Sequence, residues 1–131
     1  MKICTNFIII DDDSVNNYIC EKTIKKVVSN ALIFTFTEAI DAIRFLKSGD
    51  PGFNSNLNTV IFLDINMPIM SGWDFLNAFH ELNIEIKNNV KIYMLSSSIN
   101  DEDISIAKSN KYVIDYLMKP LQISKLKELF T

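Results

Sequence analysis

The apolar run FIII ends in Asp11 and Asp12, and the run VIFL ends in Asp64. Ser96 follows the run YML, and Lys119 follows DYLM and precedes Pro120. Three carboxylates, a hydroxyl and an ammonium thus recur where short apolar stretches stop. Brought together, the carboxylates repel one another. A pair about 4 Å apart costs about 4 kcal/mol at an effective dielectric of 20. A hard divalent cation removes that penalty, and oxygen ligands favour Mg²⁺, with Mn²⁺ as the alternative. Metal and ammonium together can receive a phosphoryl group: they neutralise its oxygens while a carboxylate attacks phosphorus. Ser96 can donate a hydrogen bond to the same group.

The elements that must position these residues are legible in the apolar pattern. Five runs, Phe7–Ile10, Ala31–Phe36, Val60–Leu63, Lys91–Leu95 and Tyr112–Leu117, are rich in Ile, Val, Phe and Tyr. Most are continuous, as in strands buried on both faces of a parallel sheet. Helical spacing fills the intervals. Cys20, Ile24, Val27 and Val28 share one face, with Ser14 as expected N-cap. Ala39, Ala42, Ile43 and Leu46 follow the i, i+3, i+4, i+7 rule. Leu76 and Phe79 lead a third helix, and Ile123, Leu126 and Phe130 a fifth. The fourth, around Asp101–Asn110, offers only Ile104, Ile106 and Ala107 and is expected to be the least firmly packed. Gly49–Asn58 reads as a turn-rich loop. Five β-α units in alternation predict an α/β fold: a parallel five-stranded sheet, doubly wound, with helices on both faces. Such sheets place ligands beyond the carboxyl ends of their strands. Four of the five ends carry the chemistry above, and the second ends in Thr37 at the periphery.

Composition narrows the function. The 131 residues suit one domain, 1–131, which buries about two thirds of its unfolded surface without staples. A net charge of −3 argues against a nucleic-acid footprint or a polybasic membrane anchor. The N-terminus lacks a signal-peptide pattern, and no apolar run approaches the ~18 residues of a membrane span. Cys4 and Cys20 lack any zinc or redox spacing and read as small buried hydrophobes. A cytoplasmic protein is expected.

The segments FIIIDDDS, FLDINMPIMSGWDFL, YMLSSS and DYLMKPL together resemble response-regulator receiver domains, the CheY-like class of two-component signalling. The resemblance covers essentially the whole chain. It implies a flavodoxin-like sheet of order 2-1-3-4-5, an order for which CheY is a standard example. It also implies a phospho-acceptor and not an enzyme acting on an external substrate. Because the sequence ends at Thr131, right after the fifth helix, a single-domain regulator with no output domain is expected. Asp64 matches the phospho-acceptor. Asp12 matches a direct Mg²⁺ ligand, Asp11 a ligand through water, and the Asn66 backbone carbonyl the third protein ligand. Ser96 and Tyr116 match the switch pair. Lys119 matches the phosphate-binding lysine, with a cis bond to Pro120. Pro68 and Gly72 shape the loop after Asp64, and Asn66 and Ser98 occupy positions that tune phosphoryl lifetime. Asp13 is expected at the helix start, Trp73 packed at the start of the third helix, and His80 on a solvated surface. The expected partners are a sensor histidine kinase or phosphotransfer protein, docking near Ser14, Val15 and Asn17, and a downstream protein target. The target would read the face of the fourth helix, fifth strand and fifth helix, where Ile99, Tyr112 and Tyr116 are candidates. A monomer is expected, and whether phosphorylation drives dimerisation stays open.

Other readings stay open. A phosphorylation-independent adaptor or a receiver from a hybrid kinase would share these motifs. A haloacid-dehalogenase-type phosphatase would need an acid/base Asp where Asn66 stands. A flavin binder would need a phosphate loop where Asp11–Asp13 would repel phosphate.

Overall fold

The computed structural model describes residues 5–48, 58–97 and 100–131. All of the expected loop Gly49–Asn58 except its last residue, together with Cys4, Ser98 and Ile99, lies outside them. Five strands form one parallel sheet in the order β2-β1-β3-β4-β5. They are β1 (Asn6–Ile10), β2 (Leu32–Phe36), β3 (Thr59–Asp64), β4 (Val90–Ser96) and β5 (Val113–Met118). The helices are α1 (Ser14–Val27), α2 (Ala39–Ser48), α3 (Gly72–His80), α4 (Ile84–Lys87), α5 (Asp101–Ser109) and α6 (Ile123–Phe130). The expected five β-α units are present, but α4 is an addition. It is a single turn that buries none of its residues, so no apolar stripe announced it.

Strand alternation divides the core in two. Phe7, Ile9, Val60, Phe62, Tyr93 and Leu95 pack with Cys20 and Ile24 of α1 and Leu126 of α6. Ile8, Ile10, Ile61, Leu63, Ile92 and Met94 pack with α2 and α3 residues and with Ala107 of α5. The three central strands are covered on both faces, which is why they read as unbroken apolar runs. The ring of Phe130 stands edge-on to Phe7 at 5.4 Å and closes one layer.

The stripe of α2 is buried as its spacing predicts. Two other faces need correction. In α5 only Ala107 is buried, and Ile106 is 45% exposed. In α6 Leu126 is buried, with Leu129 and Phe130 packed beside the core, whereas Ile123 is exposed. Among the described residues no helix is long and apolar enough to cross a membrane.

Candidate functional site

The parallel sheet brings the C-terminal ends of β1, β3, β4 and β5 to one edge, and the singled-out residues stand there. Asp11 is fully buried, Asp64 5% exposed and Ser96 2% exposed, whereas Asp12 reaches solvent. Carboxylate oxygens of Asp11, Asp12 and Asp64 lie within 4.8 Å of one another. Lys119 Nζ is 2.6 Å from Asp11 Oδ2 and 3.3 Å from Asp64 Oδ1. The segment carrying it is fixed by a hydrogen bond from Lys119 N–H to the Ser96 carbonyl, 2.8 Å, and its bond to Pro120 is cis, as expected.

Local structure explains each placement. Asp13, not Ser14, caps α1: its backbone is extended, and its carboxylate accepts from the N–H groups of Val15 (3.0 Å) and Asn16 (3.3 Å). An extended backbone with a short acceptor side chain is what an N-cap requires. The cap stands two residues after Asp11 and so holds the acidic turn at the strand end. Asp11 Oδ1 accepts from the Asp13 N–H at 2.9 Å, and Oδ2 accepts from the Asn16 amide at 2.7 Å. On the other side, Ser71 and Asp74 form a reciprocal capping box at the start of α3. Gly72 donates from its N–H to the Ile65 carbonyl at 2.8 Å. A Cβ on Gly72 would meet the Asp64 carbonyl oxygen at 2.7 Å. Only glycine lets this helix start so close to the end of β3.

The electrostatics follow from crowding. Burial first, and the Asp11 charge second, push the Asp64 carboxyl above its ordinary value of 3.8, against the pull of Lys119 and the Asn66 N–H. Burial alone would lower the Lys119 value, but its hydrogen bond to Asp11 and the charges of Asp11 and Asp64 raise it. The ammonium is therefore firmly protonated. One ammonium against three carboxylates leaves two negative charges, which a divalent cation would cancel. Clustered hard oxygens fit Mg²⁺. Cys20, beneath the site, has its thiol pushed up to about 12, by burial first and by the Asp11 charge second. It is an inert core residue, as expected.

The profile of the response regulator receiver domain matches residues 7–131. The chain belongs to this family.

Solved receiver domains share the architecture. A response regulator receiver protein from Dyadobacter fermentans is 32% identical, with a TM-score of 0.84 over 95% of this chain and 94% of that one. A two-component response regulator from Cytophaga hutchinsonii is 28% identical, with a TM-score of 0.83 over 99% and 96%. The cyclic di-GMP phosphodiesterase response regulator RpfG of Xanthomonas campestris is 24% identical over 122 residues, 93% of this chain and 30% of its own. The chain spans about a third of the length of the curated relatives it matches.

The remaining expected positions fall as follows in this receiver domain. Asn66 is exposed at the mouth of the acidic pocket, beside Asp12, Met67 and Trp73. Tyr116 is half-buried against the core, and Tyr112 packs edge-on against Phe79 at 5.1 Å. Trp73 packs at the start of α3 and His80 is exposed, both as expected. Asn17 is a correction: it is 4% exposed and donates to the Asp11 and Phe36 carbonyls at 3.0 and 3.3 Å. It buttresses the site from inside and offers nothing to a docking partner. Asn16 and Asn17 were absent from the expected site. Asn17 could have been found, because it sits three residues before Cys20 and seven before Ile24 on the buried stripe.

Proposed function

We propose that this receiver domain accepts a phosphoryl group on Asp64 from the phosphohistidine of a sensor kinase or phosphotransfer protein, in a Mg²⁺-dependent reaction. The supporting observation is the buried Asp64 carboxylate, set among Asp11 and Asp12 and within 3.3 Å of the Lys119 ammonium.

An Asp64 oxygen attacks phosphorus, the P–N bond to the donor imidazole breaks, and its electron pair stays on the imidazole nitrogen. Mg²⁺ held by Asp12, Asp64 and the Asn66 carbonyl, with Asp11 acting through water, would supply positive charge to the phosphoryl oxygens; Mn²⁺ would suit the same oxygens. Lys119 shifts from Asp11 to a phosphoryl oxygen, and the Ser96 hydroxyl donates to another. At the position where a phosphatase of similar chemistry carries an acid/base carboxylate stands Asn66, so turnover of an external substrate is not part of this reading. The donor docks over the start of α1, where Ser14 and Val15 are exposed, and a kinase donor places the reaction in the cytoplasm.

The output surface is α5, β5 and α6. Helix α5 is anchored by one buried residue, Ala107, so a small displacement at Ser96 and Tyr116 can bias its position. Ile114 and Met118 are half-exposed on β5 and available to a protein target or a second copy.

The test is intact mass after incubation with acetyl phosphate, with and without Mg²⁺. One Mg²⁺-dependent phosphoryl group on the wild type and none on Asp64→Asn is expected. A folded, Mg²⁺-binding wild type without adduct would favour a phosphorylation-independent adaptor.

A further inference from the structure

Asp11 is fully buried, and two donors share one of its oxygens. Oδ2 takes the Lys119 ammonium at 2.6 Å and the Asn16 amide at 2.7 Å. Oδ1 takes the Asp13 N–H at 2.9 Å. Before phosphorylation the ammonium is therefore nearer Asp11 than Asp64, by 2.6 Å against 3.3 Å. If Asp64 is the phospho-acceptor, the reading on which this inference rests, Lys119 must leave Asp11 to reach the new phosphoryl oxygens. A buried carboxylate stripped of its partner is strongly destabilised. Asn16 meets the same oxygen from a different element. Its backbone is fixed in the first turn of α1 by the Asp13 cap, so its amide stays when the ammonium departs.

We propose that Asn16 is a positioning residue for Lys119: by holding Asp11 Oδ2 it lets the ammonium transfer from Asp11 to the phosphoryl group on Asp64. Without Asn16, the charge of Asp11 rests more heavily on Lys119, and the phosphoryl group must compete harder for it. The cation site loses no oxygen and faces a carboxylate with one donor fewer to share its charge. The two affinities should therefore respond differently, which a merely shaping role for Asn16 would not produce.

The experiment is calorimetric titration, first with Mg²⁺ alone and then with beryllium trifluoride anion at saturating Mg²⁺ as a phosphoryl stand-in. For Asn16→Ala we expect Mg²⁺ affinity within threefold of wild type and beryllium trifluoride affinity weaker by about tenfold, the weight of one hydrogen bond to a charge. Asn16→Gln, which keeps the donor, should recover part of the loss. In a Lys119→Ala background, Asn16→Ala should have no further effect on the second affinity. Equal losses in both affinities, no loss in either, or an undiminished effect without Lys119 would each overturn the proposal. If Asn16→Ala fails to fold, Asn16→Ser is read by the same criteria. A wild type that binds Mg²⁺ but not beryllium trifluoride would instead refute Asp64 as acceptor, a different failure, since Asn16 could then fail only with wild-type binding intact.

Discussion

The amide nitrogen of Gly72 lies 2.8 Å from the carbonyl oxygen of Ile65, and no side chain fits between the two backbones. A β-carbon there would sit 2.7 Å from the Asp64 carbonyl oxygen and 2.9 Å from the Ile65 Cα, both immobile. Gly72→Ala should cost about 2 kcal/mol through overpacking and should weaken Mg²⁺ binding by displacing Asp64. Urea unfolding and a Mg²⁺ titration check both; unchanged values would mean that α3 shifts freely.

Asp64 predicts an unusual pH profile. Burial and the neighbouring Asp11 hold its carboxyl above 3.8, so the folded chain binds that proton more tightly than the unfolded chain does. Its contribution to stability is complete below 3.8 and is lost as pH rises through the folded value. At neutral pH, Asp64→Asn should therefore be the more stable protein, with the higher Tm. The gap should close as pH falls below 3.8. Thermal scans across pH without metal decide it, and a destabilised variant at pH 7 would contradict it.

Added Mg²⁺ should reverse that ranking in the wild type. A ligand at a hundred times its Kd stabilises by about 2.7 kcal/mol. Asp12→Ala removes the solvent-facing oxygen of the cluster and should shift the dependence of Tm on Mg²⁺ to at least tenfold higher concentration. An unshifted curve would remove Asp12 from the ligand set.

Asn17 separates support from docking. Asn17→Ala deletes the donor to the Asp11 and Phe36 carbonyls and should lower unfolding stability by about 1 kcal/mol. Val15→Ala, on the exposed side of the same helix, should leave stability within about 0.5 kcal/mol. Denaturant titrations of the pair test the assignment; equal effects would refute it.

What the sequence disclosed depended on how far burial dictated residue type. β1, β3 and β4 were legible because both faces are covered and few polar residues interrupt them. The acidic strand ends stood out because carboxylates follow apolar runs without a neighbouring cation in sequence; Lys119 is adjacent only in space. Asn17 was misplaced because its side-chain amide, on a buried stripe, donates to main-chain carbonyls that only the fold brings near. Ser14 and Asp13 are both capping types, and the extended backbone at Asp13 chose between them. Helix α4 had no stripe to show, since none of its four residues is fully buried and only Ile86 packs beside the core.

Trp73 stands between two depressions. It lines the mouth of the acidic pocket with Asp12 and Asn66, and it lines a groove toward Ile106 and Asn110 at the edge of α5. It is the chain's only tryptophan. Indole emission therefore arises from one place in the molecule, where ion loading and movement of α5 would both change its surroundings. The protein carries an intrinsic optical reporter between its acidic pocket and the edge of α5.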